Sequence, residues 1–195
     1  MRRFVASRAH RRVVLRTRNL RGFTLPEVLV TLAIVATLAA VLVPALMSQL
    51  SKGDAGRAVS DLQAVETAIG AYVSDVRRYP VTLGQLSTKP INTAPDILTN
   101  QLSANLTARW RGPYLTKALA GGTDSTLQTG FGADISKTFT AASYNAIQYV
   151  RIDVSPLTEA QADQMDLIID DAASSSTGRF RFSGSTGSYF AVPIQ

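Results

Sequence analysis

The chain has 195 residues, 46% hydrophobic and only 17% charged, which is room for one ordinary domain with an anchoring segment and excludes a disordered charged tail protein. The formal charge of +6 sits at one end: residues 1–22 hold eight arginines (Arg2, Arg3, Arg8, Arg11, Arg12, Arg16, Arg18 and Arg21) and no acid, and the other 173 residues carry a net of −2, so no basic nucleic-acid face is expected in the folded part. There is no cysteine, and the single histidine, His10, lies in the basic leader, which excludes disulfides, thiol nucleophiles, His-based triads and the usual zinc sites from everything that follows.

The first organised feature begins at Gly22. Residues 28–51 form a run of 24 without a charge. As a helix this run is about 36 Å long, enough for a hydrocarbon core of about 30 Å. The arginines lie N-terminal to it, so the positive-inside rule keeps that end in the cytoplasm and sends the C-terminal part out. A cleavable secretory signal competes, but its apolar core is shorter and ends in a small-x-small site, whereas this run leads into Met47-Ser48-Gln49-Leu50.

One residue does not suit a plain anchor. Glu27 stands at the edge of the apolar run, and a carboxylate in lipid costs at least a few kcal/mol unless paired or protonated, about 3 kcal/mol on insertion scales. With its neighbours it reads Gly22-Phe23-Thr24-Leu25-Pro26-Glu27, behind a basic leader and ahead of the apolar run. This arrangement resembles the class III signal of the type IV pilin superfamily, which includes type IV pilins and the pseudopilins of type II secretion systems. The resemblance implies that a prepilin peptidase cuts between Gly22 and Phe23 and that the new amine on Phe23 is N-methylated. It makes Glu27 the assembly glutamate, facing the amine of a neighbouring subunit in the filament. It also makes Pro44 the helix-bending proline. Pro26 is a variant within the motif, tolerated because the first helical turn does not need its N–H.

Lys52-Gly53-Asp54-Ala55-Gly56 follows, a local dip in helical propensity, with each glycine costing about 1 kcal/mol relative to alanine. From Arg57 the pattern recovers: Leu62, Val65, Ile69, Tyr72, Val73 and Val76 fall at helical spacing on one stripe, with Asp61, Glu66, Asp75 and Arg77 assigned to the wet side. The spacing predicts one long helix from about Thr24 to about Arg77, with a hinge or static kink between Pro44 and Gly53/Gly56. It ends where Tyr79-Pro80 disfavours continuation, and a short turn follows over residues 81–86. The Tyr79-Pro80 pair, with Trp110-Arg111-Gly112-Pro113-Tyr114-Leu115 further on, resembles the major pseudopilin of type II secretion.

Beyond this the resemblance weakens. Ala120-Gly121-Gly122-Thr123-Asp124 and Gly130-Phe131-Gly132-Ala133-Asp134 belong to a Gly/Thr/Ser-rich stretch that reads as extended loop. A strand is expected over residues 144–154, with Ile147, Tyr149 and Ile152 marking its alternation. A helix capped by Thr158 in Thr158-Glu159-Ala160-Gln161 is expected to run to about Asp171, and residues 178–183 and 187–194 to form a closing hairpin. Asp166-Leu167-Ile168-Ile169-Asp170-Asp171 with Thr177-Gly178-Arg179 resembles a C-terminal pattern of many minor pilin-like proteins. Carboxylates at a helix C-terminus oppose its dipole. They are expected to be solvated or paired with Arg179 or Arg181, and calcium held by Asp166, Asp170 and the 174–176 loop is the competing arrangement.

These features imply an α+β, pilin-like fold: a leader (1–22) that is removed, a transmembrane and assembly helix (23–52), and a globular domain (53–195) whose sheet has three or four antiparallel strands. The implied function is that of a structural subunit of a periplasmic type II secretion pseudopilus, anchored once in the inner membrane and not an enzyme. Its partners would be its own copies, other pilin-like subunits, the prepilin peptidase, the inner-membrane assembly platform and the lipid bilayer, with no nucleic acid. The alternatives are a type IV pilin for adhesion, motility or DNA uptake, and a membrane-anchored binding domain.

Overall fold

The computed structural model describes residues 22–119 and 126–195; most of the basic leader and Ala120-Gly121-Gly122-Thr123-Asp124 lie outside the described residues. The chain divides into two units, one ending at Pro44 and one running from Ala45 to Gln195. Helix α1, Leu25–Val76, is unbroken over 52 residues with Pro44 inside it. Its N-terminal part is exposed at every position from Leu25 to Leu50. The hydroxyls of Thr31 and Thr37 donate to the carbonyls of Val28 and Ile34 at 2.9 and 2.8 Å, so neither is left unsatisfied on that apolar surface. Among the described residues, one helix is long and apolar enough to cross a membrane.

In the second unit α1 supplies the core. Ala58, Leu62, Val65, Ile69, Tyr72 and Val76 are fully buried, following the predicted stripe. They join one cluster with Ile152 and Val154 of the sheet and Met165. The helix stops with Arg77 in the left-handed region (φ 62°), its N–H still bonded to Val73 O. Helix α2, Leu83–Ser87, is capped by Thr82. Its buried Gln85 accepts from Val81 N (2.7 Å) and donates to Pro95 O (2.8 Å), tying the following loop to the helix. A single turn, α3, spans Ala104–Thr107.

The sheet has six strands: β1 Leu127–Gln128, β2 Asp134–Ile135, β3 Thr140–Tyr144, β4 Ile147–Ser155, β5 Phe180–Ser183 and β6 Thr186–Pro193. Their order is β1-β2-β4-β6-β5, with β3 also paired to β4, and every pairing is antiparallel. The expectation of three or four strands is thus corrected. Two additions, β1 and β2, are two-residue strands inside the stretch read as loop, held by Leu127 and Ile135 in the core. The third, β3, turns into β4 through Asn145-Ala146, both at positive φ (48° and 64°), the geometry of a tight hairpin without its usual glycine. The phase of β4 also differs: Val150, Ile152 and Val154 face the core, while Ile147 is half-exposed.

Helix α4, Glu159–Ile169, carries the expected capping box, with Thr158 accepting from Gln161 N and Gln161 accepting from Thr158 N. The closing hairpin forms as β5–β6 around Gly184, at φ 66°.

Candidate functional site

At the N-terminal end, Pro26 and Glu27 occupy the first turn of α1, where a carboxylate is favoured by the positive end of the helix dipole. Gly22 and Phe23 precede the helix, and Phe23 is 84% exposed, leaving the Gly22–Phe23 bond outside the helix on an exposed segment. Pro44 removes one hydrogen bond within α1 without ending it. Beta carbons added at Gly53 or Gly56 would meet open space, so packing does not demand glycine at either position.

Three acids assigned to the wet side hold the second half of α1 to the rest of the domain. Asp61 pairs with Lys117 Nζ at 2.8 Å, and Asp75 accepts from Tyr114 Oη at 2.9 Å. Glu66 does more. Its Oε1 accepts from Arg179 Nη2 at 2.7 Å and its Oε2 from Tyr189 Oη at 2.5 Å. Arg179 also donates to the carbonyls of Phe190 and Ala191 and stacks over the Tyr189 ring at 5.0 Å. Burial, then the Glu66 carboxylate, push the Tyr189 hydroxyl pKa up, so it stays a donor. Asp61 and Asp75 lie on one edge of the apolar stripe and Glu66 on the other. The stripe is therefore clamped along both margins.

The Trp110–Leu115 segment closes the top of this core. Trp110 Nε1 donates to Gln85 O at 3.0 Å, and Tyr114 packs edge-to-face against both Trp110 and Tyr72. A beta carbon at Gly112 would lie 2.5 Å from the Trp110 ring and 2.9 Å from Tyr114, which explains glycine between them.

Asp166 and Asp170 come together at the end of α4. Asp166 Oδ2 accepts from Ser174 N at 2.6 Å, and Asp170 Oδ2 from Phe180 N at 2.8 Å. Of the two expected arrangements, solvation or an ion pair with Arg179 or Arg181, the ion pair does not form: Arg179 is engaged by Glu66, and Arg181 stacks over Tyr144 and Phe190, while Asp171 is exposed. Asp170 instead anchors the start of β5. Asp166 is buried, and its Oδ1 has no partner. Among the described residues no three acidic, histidine or cysteine side chains gather as a metal site. Burial, with Asp170 and Asp163 alongside, pushes the Asp166 carboxyl up to about 6, against the lowering effect of the Ser174 N–H. A raised carboxyl favours the folded state while protonated. Its contribution is therefore full below about pH 4, falls between about 4 and 6, and is gone above. Asp166→Asn keeps an acceptor for Ser174 and carries no charge. It is expected to raise stability at pH 7.5 by about 1–3 kcal/mol and to flatten the pH 4–6 slope in urea titrations. An unchanged slope would refute the assignment.

Comparison with known families fits this geometry. Residues 17–43 match the prokaryotic N-terminal methylation motif, and residues 45–125 match the family model of type II secretion system protein G. Residues 17–125 are thus similar, over two adjoining stretches, to prepilin-type N-termini and to type II secretion system protein G. The type II secretion system core protein G of Dickeya chrysanthemi is 44% identical over 82 residues, covering 40% of this chain and 53% of its own length. That of Vibrio cholerae is 42% identical over 81 residues (40% and 56%), and that of Escherichia coli K12 45% over 62 residues (32% and 43%). The chain thus spans about half the length of the curated relatives it matches. No solved structure matches. The clamp acids were missed as functional positions because helical periodicity sees the apolar stripe and not what borders it.

Proposed function

We propose that this protein is a pseudopilin, a structural subunit that polymerises through α1 into the periplasmic filament of a type II secretion system. The observation that carries the reading is a prepilin motif leading directly into an exposed apolar helix that continues into a protein G domain. In this reading the prepilin peptidase cuts at Gly22–Phe23 and the Phe23 amine is methylated. The chain crosses the inner membrane once, N-terminus in the cytoplasm, and the assembly platform lifts it into the filament. The Phe23 amine of one subunit meets Glu27 of the next in a dry helical bundle, where either charge alone would be costly. The pair fixes register more than it adds stability. The leader's eight arginines could not enter such a core, which gives cleavage a physical reason.

Intact-mass measurement on protein from its host tests the first step: a chain beginning at methylated Phe23 is expected, and one retaining residues 1–22 beside an active prepilin peptidase would sink the reading. Glu27→Ala is expected to leave membrane insertion intact and to cut the yield of sheared fibres at least tenfold, the effect of about 1.4 kcal/mol lost per subunit contact. Normal fibre yield would remove Glu27 from the assembly role.

Pro44, Gly53 and Gly56 are proposed as the hinge that lets α1 flex as a subunit leaves the bilayer. Open space around both glycines supports a backbone role over a packing one. Amide exchange in micelles is expected to be fast between Ala45 and Ala58 and slow on either side; uniform protection across that window would exclude the hinge.

A further inference from the structure

Helix α4 breaks the usual rule of burial. It buries the carboxyl of Asp166 and leaves Leu167 51% and Ile168 48% exposed. These two residues share a face with Ala160 and Gln164, at steps of four and three, and its one bordering charge is Asp163, a turn before Leu167. The Ser51 hydroxyl donates to Gln164 Oε1 at 2.8 Å. Ser51 is the last residue of the uncharged run and Lys52 the first charge after it. The bond therefore sets α4 beside the turn of α1 at which the apolar run ends. Between the two helices lies a cleft of about 240 Å³ lined by Lys52, Ala55, Gln164, Leu167 and Ile168.

We propose that this face of α4 is a membrane-contact surface, resting in the headgroup and upper acyl layer of the leaflet from which α1 emerges. The partner is the phospholipid interface itself. The argument is continuity: an apolar anchor that ends at Ser51 delivers the neighbouring face, through the Ser51–Gln164 bond, to the depth at which headgroups meet acyl chains. An amphipathic helix at that depth buries aliphatic side chains by about 5–10 Å. Leu167 and Ile168 meet that requirement. Lys52, the one charged residue lining the cleft, reaches lipid phosphate while its methylene stem stays in the apolar layer. Glu159 lies on another side of α4, and the exposed Asp163, one turn before Leu167 at the edge of the face, stays at headgroup level. Contact of this kind holds the domain against the bilayer before assembly and has to be given up on entering a filament.

The inference rests on the reading that residues 28–51 span the bilayer, and the test separates the two. The chain has no cysteine, so single cysteines for a fluorophore can be placed at Val35, Lys89 or Ile168 in the otherwise full chain. Each variant is placed one copy per nanodisc of phosphatidylglycerol and phosphatidylcholine. Quenching is read with lipid nitroxides near the headgroup or deep in the acyl chain, and with aqueous iodide. The Ile168→Cys label is expected to lose fluorescence to the shallow lipid nitroxide and to resist iodide, with the Lys89→Cys label doing the reverse. Deep quenching at Val35 with an iodide-accessible label at Ile168 would overturn the proposal and leave the span intact. No lipid quenching at Val35 would overturn the span, and the proposal with it. Shielding at Ile168 only when discs hold several copies, with disulfide cross-links forming between copies of the unlabelled Ile168→Cys variant, would assign the face to a second copy of the chain and overturn the lipid contact.

Discussion

Replacing Glu66 by alanine is expected to lower the stability of the domain by about 2–3 kcal/mol, among the larger effects available to a single polar side chain here. The substitution removes two acceptors at once. Arg179 would keep its bonds to the Phe190 and Ala191 carbonyls but lose its counter-charge, and the Tyr189 hydroxyl would lose its acceptor. Breaking a fully buried pair costs about 3–5 kcal/mol. The lower figure applies because the Arg179 side chain is 41% exposed and water can replace part of what Glu66 supplies. For a domain of this size the expected fall in Tm is about 5–10 °C. Glu66→Gln separates the contributions: it retains an acceptor for Tyr189, gives up the charge for Arg179, and should lose about half as much. A Tm for Glu66→Ala within 1–2 °C of the parent, less than about 0.5 kcal/mol, would mean that the bridge is a surface pair of the kind that contributes little.

What the sequence disclosed follows from the range of the physics involved. Helix α1 was legible almost to the residue, because its apolar run and its stripe from Leu62 to Val76 repeat a local period, and Arg77-Arg78-Tyr79-Pro80 ends it locally. Thr158 was legible as a cap for the same reason: the box closes within four residues. The strands β1 and β2 were not, since two-residue strands carry no alternation and owe their existence to β4 pairing with β2 at Val154 and Ser155. The β3–β4 turn was hidden because alanine stands where a glycine would have announced it. The clamp acids join parts of the chain far apart in sequence, and Asp170 reaches across a loop to Phe180, ten residues on; a charge pattern along one helix says nothing about what folds against it. Arg179 was expected beside the nearby aspartates; its choice of Glu66 reflects the geometry of β5, which turns its guanidinium toward α1.

Gly178→Ala is expected to cost about 2–4 kcal/mol, through two terms that separate experimentally. Gly178 has φ 85°, a conformation that costs an L-residue about 1–2 kcal/mol. A beta carbon there would also fall on the Asp170 carboxylate, in hard contact with Oδ2 and 2.7 Å from Cγ. That carboxylate holds the N–H of Phe180 at 2.8 Å, so the methyl group displaces it and β5 loses its first anchor. A charge-assisted bond of this kind is worth about 1.5–3 kcal/mol. Gly184 supplies the control: its φ is 66°, but a beta carbon there meets nothing within 4 Å. Gly184→Ala should therefore cost only the backbone share, about 1 kcal/mol. In an Asp170→Ala background the clash disappears, and Gly178→Ala should shrink to the same value, a coupling of about 1–3 kcal/mol across the double-mutant cycle. Equal urea midpoints for Gly178→Ala and Gly184→Ala, or strict additivity with Asp170→Ala, would show that Asp170 does not occupy the space reserved by Gly178. If the coupling is found, Gly178→Ala should also weaken the neighbouring bridge. Arg179 follows Gly178 directly, and a shifted β5 carries its guanidinium away from Glu66, so the loss from Glu66→Ala should be smaller in the Gly178→Ala chain than in the parent.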